Sequence, residues 1–589
     1  MERSMIRVLF LHVILTVYGV RVEAFYQNRA FLQEQPYRTA FHFQPPKNWM
    51  NVMILWRLAN GNELEDPNGP MYYNGVYHLF YQYNPYSAKW GNISWAHSVS
   101  YNLVDWIHLD HAINPSDPFD INGCWSGSAT LIPDDHIIKP VILYTGANSL
   151  NQQVQNLATP KNLSDPFLTE WVKSSNNPLM TPINGLDSNN YRDPTTAWRT
   201  SDDTWRVLIG SRIEGHGAAV MYKSKDFVKW ERTKTPLHTS NKTGMWECPD
   251  FYPVGVDGDK NGLDTSYNGV GVRHVLKASF NDHDYYVIGS YDSKTDGFSV
   301  DVDFMDDGIR LRYDYGVFYA SKTFYDEAKK RRVLWGWVLE ADSESDDVAR
   351  GWSGLQSIPR SILLDKNGKQ LIQWPIEELE KLRGKKVTIA NQEIKSGENF
   401  QVSGITASQA DVEVSFRLPN LEGVESINNY SLLDPRLLCS QMNASATGVL
   451  GPFGLLVLAS EDLAEKTAVF FRIFKSDDKY VVLMCSDQSR SSLKTHVKEA
   501  FFGSFLDVDP NQEISLRTLV DHSIVESFGG KGRSCITARV YPKLAISKNA
   551  HIYAFNNGKK SVTISRLDGW SIKKAQIAQA HRRRKSSIS

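Results

Sequence analysis

The chain has 589 residues, a formal net charge of −1 at pH 7, and a composition that is 41% hydrophobic and 12% aromatic. A chain of this length exceeds what one compact hydrophobic core can hold, so we expect two domains. The nearly balanced charge argues against a nucleic-acid partner held by bulk electrostatics. The aromatic content suits a globular, β-rich protein and also offers surfaces on which sugar rings can stack.

The N-terminal residues are typical of a secretory signal peptide. Arg3 and Arg7 accompany an apolar run over residues 8–20, and Val22-Glu23-Ala24 provides a cleavage site. The run is too short to span a membrane, and no later stretch reaches about 18 uninterrupted apolar residues. We therefore predict that residues 1–24 are removed and that the mature protein is secreted, soluble and without a membrane partner.

Secretion permits glycosylation and disulfide formation. Five Asn-X-Ser/Thr sequons predict glycosylation, at Asn92, Asn162, Asn241, Asn429 and Asn443. The five cysteines are too few for a disulfide framework, but one bridge is possible. Cys439 and Cys485 both fall in the C-terminal half, and we predict that they pair.

A degenerate repeat occupies the first two thirds of the chain. Five runs of aromatic and β-branched residues begin at Val76, Pro140, Trp205, Tyr285 and Arg332. Each is expected to be the second strand of a unit whose first strand opens near Asp66, Ser126, Asp193, Glu247 or Asp314. Five such units predict a five-bladed β-propeller over residues 25–370. Because the first strand of each blade lines the central channel, we expect Asp66, Asp193 and Glu247 to converge.

The pattern changes after Arg360. Residues 372–382 predict a short helix, and residues 383–386 predict a polar junction. Many short alternating runs then predict a β-sandwich over residues 371–573. Residues 574–589 form a basic, serine-rich tail. Its end, from His581 onward, is expected to be disordered, and binding to an acidic wall polymer is the alternative interpretation. No metal site or cofactor motif is predicted.

Three acidic motifs carry the candidate chemistry. Retaining glycoside hydrolysis needs two carboxyl groups roughly 5–5.5 Å apart, one that attacks and one that protonates the leaving oxygen. Asp66 heads Asp-Pro-Asn-Gly, in which proline and glycine predict a turn directly after the acid. Asp193 lies in Arg-Asp-Pro, and Glu247 lies in Trp-Glu-Cys-Pro-Asp. Each motif alone is weak evidence, and their equivalent places in the repeat give them weight.

Together these motifs resemble those of plant cell-wall invertases and related fructan exohydrolases of glycoside hydrolase family 32. The matching stretches are HFQPPKNWMN (42–51), DPNG (66–69), GCWSGS (123–128), YRDP (191–194), WECPDF (246–251), YDYG (313–316) and GWSGLQSIPR (351–360). The resemblance implies a propeller followed by a sandwich, cleavage of sucrose or fructan outside the cell, in the apoplast or cell wall, and a possible proteinaceous inhibitor.

The resemblance also implies a role for individual residues. Asp66 would be the nucleophile, Glu247 the acid/base, and Asp193 the residue that stabilises the transition state. The residues that would contact the substrate are Asn51, Asn68, Gln82, Trp90, Trp125, Ser126 and Arg192.

Residues 52–65 depart from the family pattern, in which Trp-Met-Asn runs directly into Asp-Pro-Asn-Gly. Here fourteen residues separate Asn51 from Asp66, so that Glu65 precedes the nucleophile. Three explanations are open: translation across an unspliced or misjoined boundary, a tolerated loop, or a catalytically silent relative that binds sugar.

A second departure concerns the substrate. The stretch at 279–286 lacks a lysine found in the corresponding region of cell-wall invertases. We hypothesise weakened sucrose affinity and activity as a fructan exohydrolase on inulin or levan.

Overall fold

The computed structural model describes residues 35–50, 67–134, 137–183, 185–256, 261–301, 311–428, 434–494 and 500–579. The predicted signal peptide, Asn51, Asp66, the segment 52–65, Asn429 and the end of the tail lie outside the described residues. The chain divides into Met1–Arg38 and a compact unit, Thr39–Ser589, which carries all the sheets. In the described part of the chain, no helix has the length and apolar character needed to cross a membrane.

Five antiparallel sheets follow one another along the chain and form the blades, and we number the strands in chain order. The strands are β2 (Pro67–Tyr73), β3 (Val76–Tyr83), β4 (Ser94–Ser100) and β5 (Trp106–His108) in blade 1; β6 (Cys124–Asp134), β7 (Ile137–Ala147), β8 (Gln153–Pro160) and β9 (Trp171–Lys173) in blade 2; β10 (Tyr191–Arg192), β11 (Trp198–Arg199), β12 (Trp205–Ile213), β13 (His216–Ser224), β14 (Glu231–Arg232) and β15 (His238–Ser240) in blade 3; β16 (Glu247–Gly255), β17 (Val272–Phe280), β18 (His283–Asp292) and β19 (Gly297–Val300) in blade 4; and β20 (Phe318–Asp326), β21 (Arg331–Val338), β23 (Leu355–Gln356), β24 (Arg360–Leu364) and β25 (Leu371–Pro375) in blade 5.

The blades close into a ring. β2 packs against β6, β6 against β10, and blade 3 against β16; β16 then packs against β20, which returns to β2. The predicted five-bladed propeller is therefore confirmed. The run at 285–289 is the third strand of its blade and not the second, because β17 precedes it.

The inner strands of blades 1, 2, 4 and 5 share a backbone irregularity at one end of the ring. The register with the second strand shifts after Asn68 in β2, Cys124 in β6, Glu247 in β16 and Tyr319 in β20. Such bulges re-aim the side chains beside them. The predicted turn after Asp66 is wrong, because Pro67 begins β2 and Gly69 uses its positive φ of 44° inside the bulge.

Two six-stranded antiparallel sheets follow and form the predicted sandwich. One holds β26 (Arg383–Ile394), β28 (Gln409–Arg417), β33 (Ile514–Asp521), β34 (Ile524–Gly529), β35 (Ser534–Arg539) and β37 (Val562–Ile572); the other holds β27 (Glu398–Gln401), β29 (Phe453–Ala459), β30 (Thr467–Ser476), β31 (Lys479–Asp487), β32 (Phe501–Leu506) and β36 (His551–Asn556). The described helices are α1 (Glu344–Arg350), α2 (Pro435–Gln441) and the 3-10 turns Glu377–Leu382 and Ser547–Asn549.

The junction between propeller and sandwich differs from the prediction. The short helix expected over 372–382 is wrong in its first part, since β25 (Leu371–Pro375) alternates buried and half-buried residues with the period of a strand. Only Glu377–Leu382 is helical, as a 3-10 turn. The segment expected to be a polar junction, 383–386, is half-buried or exposed and forms the start of β26.

A buried ionic network joins the start of the propeller to the sandwich. The backbone N–H groups of Ala40, Phe41 and His42 donate to the Asp521 carboxylate at 2.7, 2.8 and 3.0 Å. His42 Nδ1 lies 2.9 Å from Asp521 Oδ2, and its Nε2 lies 3.7 Å from Glu526 Oε2. Burial lowers the pKa of His42, but the hydrogen bonds and charges of both carboxylates outweigh burial and raise it above its usual range.

Arg360 extends this network. It donates to Glu526 at 3.1 Å and to Asp314 at 2.9 Å. Asp314, expected near the opening of an inner strand, lies before β20, which starts at Phe318. Its Oδ1 accepts a hydrogen bond from the backbone N–H of Thr537 in the sandwich at 2.8 Å.

Three further contacts join segments that are distant in sequence. Cys439 and Cys485 form the predicted disulfide, with Cα atoms 5.7 Å apart. The last described strand, β38 (Ile577–Gln579), pairs in parallel with β5 of blade 1. The backbone of Ile577–Gln579 thus completes the edge of a sheet. The part of the tail that is expected to be disordered, from His581 onward, lies outside the described residues. β1 (Asn48–Trp49) likewise pairs in parallel with β22 (Trp352–Ser353).

Candidate active site

Glu247 begins β16 and its bulge, and its side chain is almost completely buried. Oε1 accepts a hydrogen bond from Arg192 Nη2 at 2.5 Å, and Oε2 accepts one from the Tyr319 hydroxyl at 2.6 Å. Burial raises the pKa of Glu247, Arg192 and Tyr319 oppose the rise, and the net shift is upward. A buried carboxyl group that retains its proton more readily than usual has the property that a general acid needs.

Asp193 follows β10 directly, with a positive φ of 68°. Its backbone N–H donates to Thr145 Oγ1 at 2.8 Å, which anchors it to blade 2. Its Oδ2 accepts from the backbone N–H of Cys248 at 2.9 Å and lies 3.9 Å from Arg192 Nε. Arg192 therefore lies beside both carboxylates, and the predicted convergence of Asp193 and Glu247 is observed.

Three predicted contact residues lie together on blades 1 and 2. Gln82 Nε2 donates to Ser126 Oγ at 2.6 Å, and Asn68 Oδ1 accepts from the backbone N–H of Gly127 at 3.3 Å. All three side chains are buried. Within the described part of the chain, Asn68 Nδ2 is buried and has no hydrogen-bond partner.

The predicted tryptophans occupy different settings. Half-buried Trp125 packs against a cluster that spans blades 1, 4 and 5 and consists of Ile93, Cys248, Tyr319, Ala320 and Trp337. Trp125 is therefore adjacent to the residues that follow and contact Glu247. Trp90 lies between β3 and β4 with 37% of its surface exposed, and the described contacts do not join it to Glu247.

The sequence analysis missed Tyr319 and Lys277. Tyr319 occupies the bulge position in blade 5 that Glu247 occupies in blade 4, so aligning the repeat on the bulge and not on Asp314 identifies it. Lys277 is completely buried in β17. The sequence feature that could have identified Lys277 is its single charge between the apolar neighbours Leu276 and Ala278.

The described flanks of the inserted segment both contact the end of β3. The Tyr83 hydroxyl donates to the Lys47 carbonyl at 3.2 Å, and Asn48 Nδ2 donates to the Pro85 carbonyl at 2.6 Å. Pro67 pairs with Tyr81 on the same strand. The chain therefore enters and leaves the insertion beside one strand, and Asn51 and Asp66, which adjoin these flanks, lie outside the described residues.

One group of carboxylates among the described residues is close enough to hold a metal ion. It comprises Glu340, Asp342 and Asp347. Arg350 binds Asp342 and Asp347, and Arg539 Nη1 donates to Glu340 at 2.7 Å. Because Arg350 and Arg539 already bind these carboxylates, we assign no metal to the group.

Two family models together match most of the chain. The model described as "Glycosyl hydrolases family 32 N-terminal domain" matches residues 42–375, and "Glycosyl hydrolases family 32 C terminal" matches residues 378–571.

Individual proteins of this family are also similar to the chain over most of its length. The chain is 57% identical over 555 residues to "Beta-fructofuranosidase, insoluble isoenzyme CWINV1" of Arabidopsis thaliana, which covers 92% of each chain. It is 54% identical over 552 residues to "Fructan 6-exohydrolase" of Beta vulgaris, with 92% of this chain and 88% of that protein covered. The crystal structure of fructan 1-exohydrolase IIa from Cichorium intybus matches with a TM-score of 0.88 and 51% identity, covering 93% of this chain and 99% of that one. The chain therefore belongs to glycosyl hydrolase family 32.

Proposed function

We propose that this protein is a retaining β-fructofuranosidase that releases terminal β-D-fructofuranosyl residues. The observation that carries the proposal is the setting of Glu247: a buried carboxyl group with a raised pKa, hydrogen-bonded by Arg192 and Tyr319 and close to Asp193. The names of the relatives, which include β-fructofuranosidases and fructan exohydrolases, support the same reaction.

The reaction takes two steps. Glu247 donates its proton to the glycosidic oxygen while the Asp66 carboxylate attacks the anomeric carbon of fructose; the bond to the leaving sugar breaks and a fructosyl ester forms. Glu247, now ionised, removes a proton from water, and the resulting hydroxyl attacks the same carbon and releases Asp66. Asp193 stabilises the transition state through fructose hydroxyls.

The pocket residues hold the substrate. Arg192 spans Glu247 and Asp193, and with Gln82, Ser126 and Asn68 it offers donors to fructose hydroxyls. Trp125 and Trp90 provide apolar faces against which a sugar ring packs.

The inserted segment provides the first test. We would purify the full chain and a variant that lacks residues 52–65, in which Asn51 directly precedes Asp66. Each would be assayed for fructose release from sucrose, inulin and levan, with Glu247→Gln in both backgrounds as the inactive control.

Each outcome of this comparison is informative. Activity of both proteins supports the proposal and makes the segment a tolerated loop. Activity of the deletion variant alone means that residues 52–65 silence the full chain. Inactivity of both, with folded protein present, overturns the proposed function.

Substrate choice rests on the hairpin that follows Glu247. Ser279 pairs with Glu247 across β16 and β17, so the β17–β18 turn lies at the active-site end of blade 4. The turn consists of Asn281 and Asp282, both with positive φ, and contains no lysine. We infer that sucrose is held weakly and that fructans compete well as substrates. A strong preference for sucrose over inulin and levan contradicts this inference, and Asp282→Lys is expected to lower the KM for sucrose.

We also propose that the protein acts outside the cell, in the apoplast or cell wall. Relatives named as insoluble or cell-wall isoenzymes support this. Three sequon asparagines, Asn92, Asn162 and Asn241, are exposed and Asn443 is half-buried. Secreted protein should lose mass on glycosidase treatment, and an unchanged mass contradicts glycosylation. An acidic wall polymer and a proteinaceous inhibitor are the proposed partners.

A further inference from the structure

Glu247 and Tyr319, the donor that binds it, both begin bulges. The residues after them, Cys248 and Ala320, have positive φ values of 47° and 58°. This conformation is unfavourable for residues other than glycine and persists only where the surroundings impose it. The direction of the Glu247 side chain therefore depends on whatever holds these two bulges.

Lys277 holds both bulges with one ammonium group. Its Nζ donates to the carbonyl oxygen of Cys248 at 2.9 Å, to the carbonyl oxygen of Ser321 at 2.7 Å and to Ser279 Oγ at 2.9 Å. The first carbonyl belongs to the Glu247 bulge in blade 4 and the second to the Tyr319 bulge in blade 5. A lysine ammonium has three donors, and all three are used on these fixed acceptors.

Asp284 supports the same arrangement from β18. Its carboxylate lies 3.4 Å from Lys277 Nζ and accepts from the backbone N–H groups of Ala320 and Ser321 at 2.9 and 2.8 Å. The ion pair is completely buried, so its geometry is not relaxed by water. Because Asp284 balances the charge of Lys277, the pair acts on Glu247 through backbone geometry.

We propose that Lys277 is a positioning residue for the acid/base Glu247: it ties the two bulges together so that Glu247 points at the leaving oxygen. The proposal rests on the proposed function. It extends the active site to a residue that contacts no substrate and lies in the second strand of the blade.

The test exploits the dependence of acid catalysis on the leaving group. Sucrose has a poor leaving group that needs a proton from Glu247, whereas 4-nitrophenyl β-D-fructofuranoside has a leaving group that departs without one. For Lys277→Met we expect kcat/KM to fall on the order of a hundredfold for sucrose, but by no more than about threefold for the aryl substrate. Azide should raise kcat of the variant with the aryl substrate, because it replaces the poorly activated water.

Two further variants separate positioning from stability. Lys277→Met leaves the buried Asp284 carboxylate without a cation beside it, so Lys277→Met with Asp284→Asn removes both charges and should show the same leaving-group dependence. Arg206→Met is the matched control: Arg206 is a buried, ion-paired cation in the second strand of blade 3, and it binds Asp202 and Asp296. Its kcat/KM should change equally for the two substrates.

Equal losses on both substrates for Lys277→Met overturn the inference, since unfolding alone lowers both. If the unmodified chain cleaves neither substrate, the proposed function fails, and the positioning role is judged by the crystal structure of Lys277→Met. A Glu247 carboxylate that still meets Arg192 and Tyr319 there overturns the inference, and a displaced one supports it.

Discussion

Replacing His42 by glutamine tests the ionic network between the propeller and the sandwich. The substitution keeps a side chain of similar size but removes the cation between Asp521 and Glu526. Asp521 retains three backbone donors and Glu526 retains Arg360, so neither carboxylate is left without a partner. Removing one partner of a buried ion pair costs about 3–5 kcal/mol, and the remaining donors place the expected loss at about 3 kcal/mol.

The loss should depend on pH in a defined direction. The pKa of His42 is raised above 6.5, so its contribution is fully present below pH 6.5 and disappears as pH rises through the pKa of the folded protein. The pKa values of Asp521 and Glu526 are lowered from 3.8 and 4.5, so their contributions disappear only as pH falls below these values. The full effect of the substitution is therefore expected between pH 4.5 and 6.5.

Urea unfolding followed by tryptophan fluorescence, from about pH 5 to about pH 9, measures this dependence. His97→Gln is the control, because its effect on stability should depend on pH in the opposite direction. Burial holds the pKa of His97 well below its usual value, so the unmodified protein gains stability as pH rises towards 6.5, and the cost of His97→Gln grows over that range. If the cost of His42→Gln is constant with pH, or grows with pH, His42 is not a buried cation and the reasoning fails.

Two further predictions concern the acid/base and the disulfide. Arg192 lowers the pKa of Glu247, so Arg192→Met should raise that pKa and move the alkaline limb of kcat/KM for sucrose to higher pH. Arg192→Lys keeps a cation and should leave the limb nearly in place. A shift to lower pH for Arg192→Met contradicts the assignment. The disulfide joins residues 46 positions apart, so Cys439→Ser with Cys485→Ser should cost about 4 kcal/mol of unfolding free energy. A loss no larger than that of Cys535→Ser, which removes a buried free thiol, refutes this estimate.

The propeller could be predicted because its signal is local and repeated. Each strand can be recognised from its own run of aromatic and β-branched residues, and four of the five runs predicted to be second strands are second strands of their blades. The remaining run, which begins at Tyr285, is a third strand, because β17 precedes it. The apolar pattern of β17 is interrupted by Arg273, His274 and Lys277. Lys277 is completely buried, and its acceptors come from three different strands, so its burial depends on contacts distant in sequence.

Those residues of the candidate site that lie in recognisable motifs were predicted from the sequence. Arg192, Asp193 and Glu247 lie together, because the repeat places them on neighbouring inner strands. The predicted turn after Asp66 was wrong because the same Pro and Gly residues suit a bulge within a strand. Tyr319 carries no acidic or motif signature, and its place in the bulge of blade 5 and its hydrogen bond to Glu247 became evident only from the structure.

The pairing of β38 with β5 has a consequence for biosynthesis. Trp106 donates its backbone N–H to the carbonyl of Gln576, so the first blade acquires its outermost strand from nearly the last described residues. While the ribosome is still producing the sandwich, β5 remains an open sheet edge, which is a hazard for aggregation. Blade 1 is therefore complete only after residues 577–579 have been synthesised, so its outer edge stays unpaired longer than the other strands of that blade.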